Sequence, residues 1–342
     1  MKTEGINKNA RVYSQIIFLA ITLWIGIEFI LYYNYLITEG KSFYVPRPPG
    51  VEGFLPISSL MNFYYWIETG NISMIHPAGL FIFIAIIAIS VVFKKSFCSW
   101  ACPIGFISES VGELGKKVLG KNLRVPRVID YFLRSIKYLL LLFFTYAIFS
   151  MSSEALGLFL ESPYNRVADI KMLLFFTNMS SFTAYVLIFL TVASFFIYNF
   201  WCRYLCPYGA MLGFLSLFSP FKVRRNKETC TDCGACTKVC PSRIRVHKET
   251  TVRSDECMSC MLCVNVCPVK NTLEFSAPKK RFSLNGKKLI IGIFIVYFVI
   301  IGYAMALGKW KSSVTDAEFM ERSKELNSLK YSHPTGFERN NQ

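Results

Sequence analysis

The sequence predicts an α-helical integral membrane protein, with about five transmembrane helices in a duplicated hairpin and an inserted α+β ferredoxin-like domain with two [4Fe-4S] clusters. Three observations carry this. Hydrophobic residues make up 53% of the 342-residue chain, with 31 Phe and a mean hydropathy of +0.38, more apolar surface than one soluble core of this size would bury. Five stretches are apolar and long enough for a hydrocarbon core of about 30 Å: residues 13–35, 77–93, 135–151, 182–200 and 289–307. The 12 cysteines fall in four short clusters, two of which read CTDCGACTKVCP and CMSCMLCVNVCP.

The first stretch follows Lys8 and Arg11, is too long for a signal-peptide core and has no small-residue cleavage site after it, so it reads as an uncleaved anchor. With the N-terminus inside, 28 of the 38 Lys and Arg residues lie in inside segments and 10 outside, which predicts an N-in, C-out topology in a bacterial cytoplasmic membrane. The net charge of +16 then reports topology and lipid headgroup contact, with no call for nucleic acid. All cysteines fall on the inner side, where thiols stay reduced and available as ligands.

Residues 1–221 read as a membrane domain made of two copies of one hairpin, 13–35 with 77–93 and 135–151 with 182–200. Each copy ends in the same motif, FCSWACPIG over 97–105 and WCRYLCPYG over 201–209. Cysteines at i and i+4 share one face of a helical turn, and the Pro and Gly that follow bend it. Cys98, Cys102, Cys202 and Cys206 thus supply four thiolates, enough for a third iron-sulfur centre or a single metal such as zinc. The bland alternative is four small buried packing residues. After the first motif, Phe106, Ile107, Val111, Leu114 and Val118 lie at helical spacing opposite Glu109, Glu113, Lys116 and Lys117, an amphipathic helix for the inner membrane surface.

Residues 222–286 are polar and punctuated by Pro241, Pro268 and Pro278, a soluble cytoplasmic insert before the fifth helix at 287–307 and an extracytoplasmic tail at 308–342. Its two C-x2-C-x2-C-x3-C-P runs are those of bacterial two-cluster ferredoxins, in which the fourth cysteine of each run binds the other cluster. Cys230, Cys233, Cys236 and Cys267 are therefore expected at one [4Fe-4S] cluster, and Cys257, Cys260, Cys263 and Cys240 at the second. Zinc ribbons pair two C-x2–4-C knuckles and have no use for this spacing.

Two C-x3-C-P hairpins followed by a ferredoxin insert resemble the family of membrane iron-sulfur proteins containing NapH, NosR and CcoG, closest to NapH. The outside segment YVPRPPGVEGFLPISSLM (44–61) is also similar, and the resemblance covers residues 10–305. It does not extend to the periplasmic flavin-binding domain of NosR or the C-terminal β-domain of CcoG. The resemblance implies a quinol dehydrogenase-type subunit that passes electrons between the quinone pool and a partner redox protein.

Glu28 is the acidic residue within a membrane stretch, and His76 begins the second at similar depth, so the pair is a candidate acceptor of the two quinol protons. The simpler readings are a helix-pairing Glu28 and a His76 that only opens a helix at Pro77. Two rival functions stay open: a copper-reducing assembly factor of the CcoG type, and a membrane anchor that docks a periplasmic reductase through 308–342, where 314–330 has helical amphipathicity.

Overall fold

The computed structural model describes residues 4–278, 282–326 and 331, with side chains from residue 10 onward. The chain divides into two compact units: residues 1–22, 85–143 and 185–299 form the first, and 23–84, 144–184 and 300–342 the second. This partition cuts the long helices and differs from the sequence boundaries at 221/222 and 286/287. Of the tail at 308–342, residues 327–330 and 332–342 lie outside the described residues.

Apolar helices run over Glu4–Ile37, Pro77–Phe93, Arg127–Phe149, Ser181–Phe196 and Gly286–Ala306, at the five expected positions. Three have full spanning length: Ala10–Ile37, Arg127–Phe149 and Gly286–Ala306. The other two are shorter. Pro77–Phe93 has 17 residues and stops at Lys94, whose φ of 60° breaks the helix, while Ser181–Phe196 is bent by 74° from Ala168–Thr177. The third helix begins eight residues before the apolar window at 135, because the charged first turns are held by ion pairs: Asp130 takes a two-point bond from Arg203 at 2.8 and 2.7 Å. Trp24, Leu142, Phe143, Phe189 and Phe298 are all more than half exposed, an apolar exterior that only a lipid surround makes tolerable. The protein is a membrane protein.

In the first unit the insert closes with a three-stranded antiparallel sheet, Lys222–Arg225, Leu273–Ser276 and Ser283–Leu284, in which Val223 faces Phe275 and Phe275 faces Leu284. Its core is continuous with the helix ends: Val223, Val246, Val252, Met261 and Phe275 form one cluster with Trp100, Phe93, Leu289 and Ile293. The insert is therefore welded to the ends of the apolar helices and shares their core. The helix Pro103–Leu119 buries its small residues, Gly105, Ser108, Gly112 and Gly115, and leaves Ile107, Leu114 and Val118 exposed. A Cβ on Gly115 would lie 1.9 Å from the Phe195 carbonyl oxygen, so this approach to the fourth apolar helix demands glycine. Gly115→Ala is expected to separate the two helices and lower the melting temperature in detergent; an unchanged melting curve would contradict that packing.

In the second unit the helices Pro56–Thr69 and Ser153–Leu160 pack through Met61, Leu156 and Leu160. The segment expected to be amphipathic at 314–330 forms the helix Asp316–Lys324, which buries Phe319 completely. Tyr32 donates to Asp316 at 2.8 Å, and Arg166 pairs with Glu318 at 3.0 Å. Its apolar face is thus occupied by the protein's own second unit, which removes that face from the surface an anchor would offer a reductase.

Candidate iron-sulfur and thiolate centres

The two ferredoxin runs fold alike. Each has a left-handed residue between its second and third cysteines, Gly234 at φ 70° and Met261 at φ 59°, which opens a one-turn helix carrying the third cysteine. Glycine takes this conformation freely; Met261 is held there by burial, at 1% exposure. One cavity is lined by Cys240, Cys257, Cys260 and Cys263, and a second by Cys230, Cys233, Cys236 and Cys267. In both, the fourth cysteine of one run stands with the first three of the other.

The two cavities differ in environment. Burial pushes the Cys240 thiol up to about 12, whereas Arg225 and the Asp232 amide hold Cys230 below its ordinary value, and Cys233 is exposed. The Ser259 hydroxyl in the first cavity's wall is buried and has no hydrogen-bond partner among the described residues, which suits a sulfide acceptor inside. Among the described residues no three His, Cys, Asp or Glu side chains close on a point as they would around one ion. Cavities walled by four thiols suit a bulkier polynuclear group, and the residues fit [4Fe-4S] clusters.

The duplicated motifs also fold alike. Cys102 and Cys206 cap the helices Pro103–Leu119 and Pro207–Leu215, their sulfurs accepting from Gly105 N at 3.5 Å and Gly209 N at 3.2 Å. Proline at the first helical position gives up an amide that had no partner there. A Cβ on Gly105 would sit 2.3 Å from the Cys98 carbonyl oxygen, so the motif's glycine lets the turn close on itself. Burial pushes Cys98 up to about 12 and Cys102 up to about 11, with the Gly105 amide opposing it at Cys102; burial also pushes Cys202 well above its ordinary value. The four thiols act on one another electrostatically, so the two motif copies lie in one neighbourhood. Metal binding there must displace tightly held protons.

The residues between each pair of cysteines fix the motifs in place. In the first motif, Ser99 Oγ donates to the Met258 carbonyl at 2.7 Å and Trp100 Nε1 to the Ser259 carbonyl at 3.0 Å. These acceptors lie between the ligand candidates Cys257 and Cys260. In the second motif, Arg203 and Tyr204 both hold Asp130, the tyrosine hydroxyl at 2.6 Å.

Sequence reading missed the charges around this site. Lys95 is 4% exposed, and Glu256, also buried, takes Lys137 Nζ at 2.5 Å and Arg134 Nε at 3.3 Å. Burial would lower the Lys95 pKa; Glu256 and the thiols of Cys98, Cys206 and Cys202 outweigh it and hold it up. In the sequence Lys94 and Lys95 enter only the total of inside basic residues. The available signal was Lys95 three residues before Cys98.

In the second unit His76 is 2% exposed, its Nε2 2.6 Å from the Asn165 carbonyl and its Nδ1 3.8 Å from Glu52. Arg47 joins Glu52 and Asp169, each at 2.8 Å, and Glu52 also accepts from Gly79 N at 3.0 Å. Burial opposes ionisation of Glu52, but Arg47 and His76 hold its carboxyl below the usual range. Glu28 is half-buried on the first helix and has no ion pair or hydrogen-bond partner among the described residues. The structure thus seats His76 on Glu52 and leaves Glu28 out of that network.

The family model described as a 4Fe-4S binding domain matches residues 75–122 and 182–226, the two segments that carry the C-x3-C-P motifs. The 4Fe-4S dicluster domain matches 222–268. The chain is 46% identical over 308 residues to the "Putative electron transport protein YccM" of Escherichia coli (strain K12), covering 89% of this chain and 86% of that one. It is 30% identical to the regulatory protein NosR of Pseudomonas aeruginosa over 47% of this chain and 22% of NosR. With the methylamine utilization ferredoxin-type protein MauN of Paracoccus denitrificans it shares 29% over 43% of this chain and 48% of MauN. No solved structure matches. The conclusion is that the chain belongs to the NapH/NosR-type family of membrane iron-sulfur electron-transport proteins.

Proposed function

We propose that the chain is a quinol dehydrogenase-type subunit that carries electrons through three iron-sulfur centres in series. The order is the site of Cys98, Cys102, Cys202 and Cys206, then Cys240, Cys257, Cys260 and Cys263, then Cys230, Cys233, Cys236 and Cys267. The observation that carries it is the pair of hydrogen bonds from Ser99 and Trp100 to the carbonyls of Met258 and Ser259, which ties the membrane motif to the Cys257 loop. The Cys230 set, with Cys233 exposed, is then the terminus that meets a partner redox protein. The family description of the motif-bearing segments as 4Fe-4S binding favours iron and sulfide at the first site.

When bound, the clusters supply one-electron chemistry; the protein's own part is to hold them close and dry. Ser99 and Trp100 fix the spacing of two ligand loops, and the helix ends at Cys102 and Cys206 offer amides to thiolate charge. On this reading the motifs and the insert face the cytoplasm of a bacterial cell, the N-terminus is inside and the C-terminus outside. Glu28, with no ion pair or hydrogen bond among the described residues, and His76 are the proton acceptors for quinol. Glu28→Gln is expected to slow quinol-dependent cluster reduction about a hundredfold or more, the low end of acid-base contributions; an unchanged rate removes Glu28 from the mechanism.

The test of the function is anaerobic addition of a soluble menaquinol analogue to the purified protein, followed by EPR. Reduced-cluster signals are expected with quinol alone. Signals that appear with dithionite but never with quinol, at any quinol-to-quinone ratio, would overturn the quinol reading. Crossed ligation is tested separately: Cys240→Ser is expected to alter the signal that Cys257→Ser alters. If it alters the signal of Cys230→Ser, each run binds its own cluster.

A further inference from the structure

We infer that Lys95 is the fixed counter-cation of the four-cysteine membrane centre, a positioning residue that holds its negative charge and raises its reduction potential. The inference rests on the proposed iron-sulfur occupancy of that site. Lys95 is buried, yet its ammonium has no hydrogen bond and no carboxylate within 4 Å among the described residues. Glu256, the nearest carboxylate in electrostatic effect, is already engaged by Lys137 and Arg134. A buried ammonium left in that state is costly unless another anion compensates it.

The geometry says where that anion sits. The point a Gly209 Cβ would occupy is 3.7 Å from Lys95 Nζ and 3.5 Å from Cys206 Sγ. One turn on, the corresponding point at Gly213 is 3.6 Å from the same nitrogen. Two glycines spaced by four therefore leave room along this helix for the lysine's ammonium, on the side where Cys206 Sγ lies. The thiols of Cys98, Cys206 and Cys202 are the groups that act on it after Glu256.

The two motif copies are unequal here. The residue 104 positions on from Lys95 is Asn199, buried and neutral, so only the first copy delivers a charge. Four thiolates around a [4Fe-4S] core give a net charge of about two minus when oxidised and three minus when reduced. Reduction adds one electron, taken from the quinol or from dithionite, and makes or breaks no bond. A fixed cation beside the site favours the more negative state. Removing it must lower the potential.

EPR-monitored redox titration of the full-length protein, with iron analysis, tests this on the wild type, Lys95→Gln and Lys95→Arg. Lys95→Gln is expected to shift the membrane-centre equilibrium at least tenfold toward the oxidised form, about 59 mV for one electron, with smaller movement of the two ferredoxin signals. Lys95→Arg is expected to stay near the wild type. If Lys95→Gln instead sheds only the membrane centre's iron while Lys95→Arg keeps it, the requirement for a cation is upheld. An unchanged potential in Lys95→Gln, or loss of that iron in both variants, overturns the inference. A wild type with no third iron-sulfur signal would show that the site reading itself had failed, and would dismiss Lys95's role with it.

Discussion

Arg47→Met is expected to destabilise the second unit by about 3–5 kcal/mol, the cost of removing one partner from a buried ion pair. Glu52 and Asp169 are fully buried, and each depends on Arg47 at 2.8 Å. A methionine of similar length fills the space but strands two carboxylates that cannot reach water. The alternatives are to protonate them or to open the unit, and either leaves His76 without its charged neighbour at 3.8 Å. Thermal unfolding in detergent checks this, with Arg47→Lys as the intermediate case because a single ammonium cannot serve both carboxylates as a guanidinium does. The sign with pH follows. Glu52 ionises at lower pH folded than unfolded, so its stabilising contribution is present above the unfolded carboxylate pKa and is lost as pH falls through the folded value.

The second large effect is expected at the membrane motifs. A Cys98→Ser/Cys202→Ser variant keeps all eight ferredoxin cysteines but loses one ligand candidate from each motif copy. Quinol-dependent reduction of the two ferredoxin clusters is expected to fall at least a hundredfold, while dithionite, which reaches the exposed Cys233 side, still reduces them. Equal reduction by quinol in variant and wild type would place the quinol entry past these cysteines. The comparison of two reductants separates a broken route from a collapsed protein, since collapse would abolish both.

Much of this was legible because thiolate spacing is a covalent fact. The C-x2-C-x2-C-x3-C-P runs predicted which four cysteines line each cavity, and the repeat at 97–105 and 201–209 predicted two motifs that fold alike. The helix ends were less legible. Hydropathy hid the first two turns of the third helix, because Asp130 and Arg134 count as polar until Arg203 and Glu256 neutralise them from segments 73 and 122 residues away. The same blindness hid Lys95 and Glu52, whose roles exist only once distant charges are brought together. YVPRPPGVEGF was recognised as a segment, but nothing in it announced that Arg47 and Glu52 would be its centre. Glu28 drew notice as an isolated acid, yet the structure builds its ionised network around Glu52.

The central claim, three iron-sulfur centres in one chain, is tested most directly by iron and acid-labile sulfide analysis of the anaerobically purified protein together with its EPR spectrum. The account predicts about twelve irons and twelve sulfides per chain, and a third signal that disappears in Cys98→Ser/Cys202→Ser while about eight irons remain. About eight irons in the wild type, with the same spectrum in the variant, would contradict it.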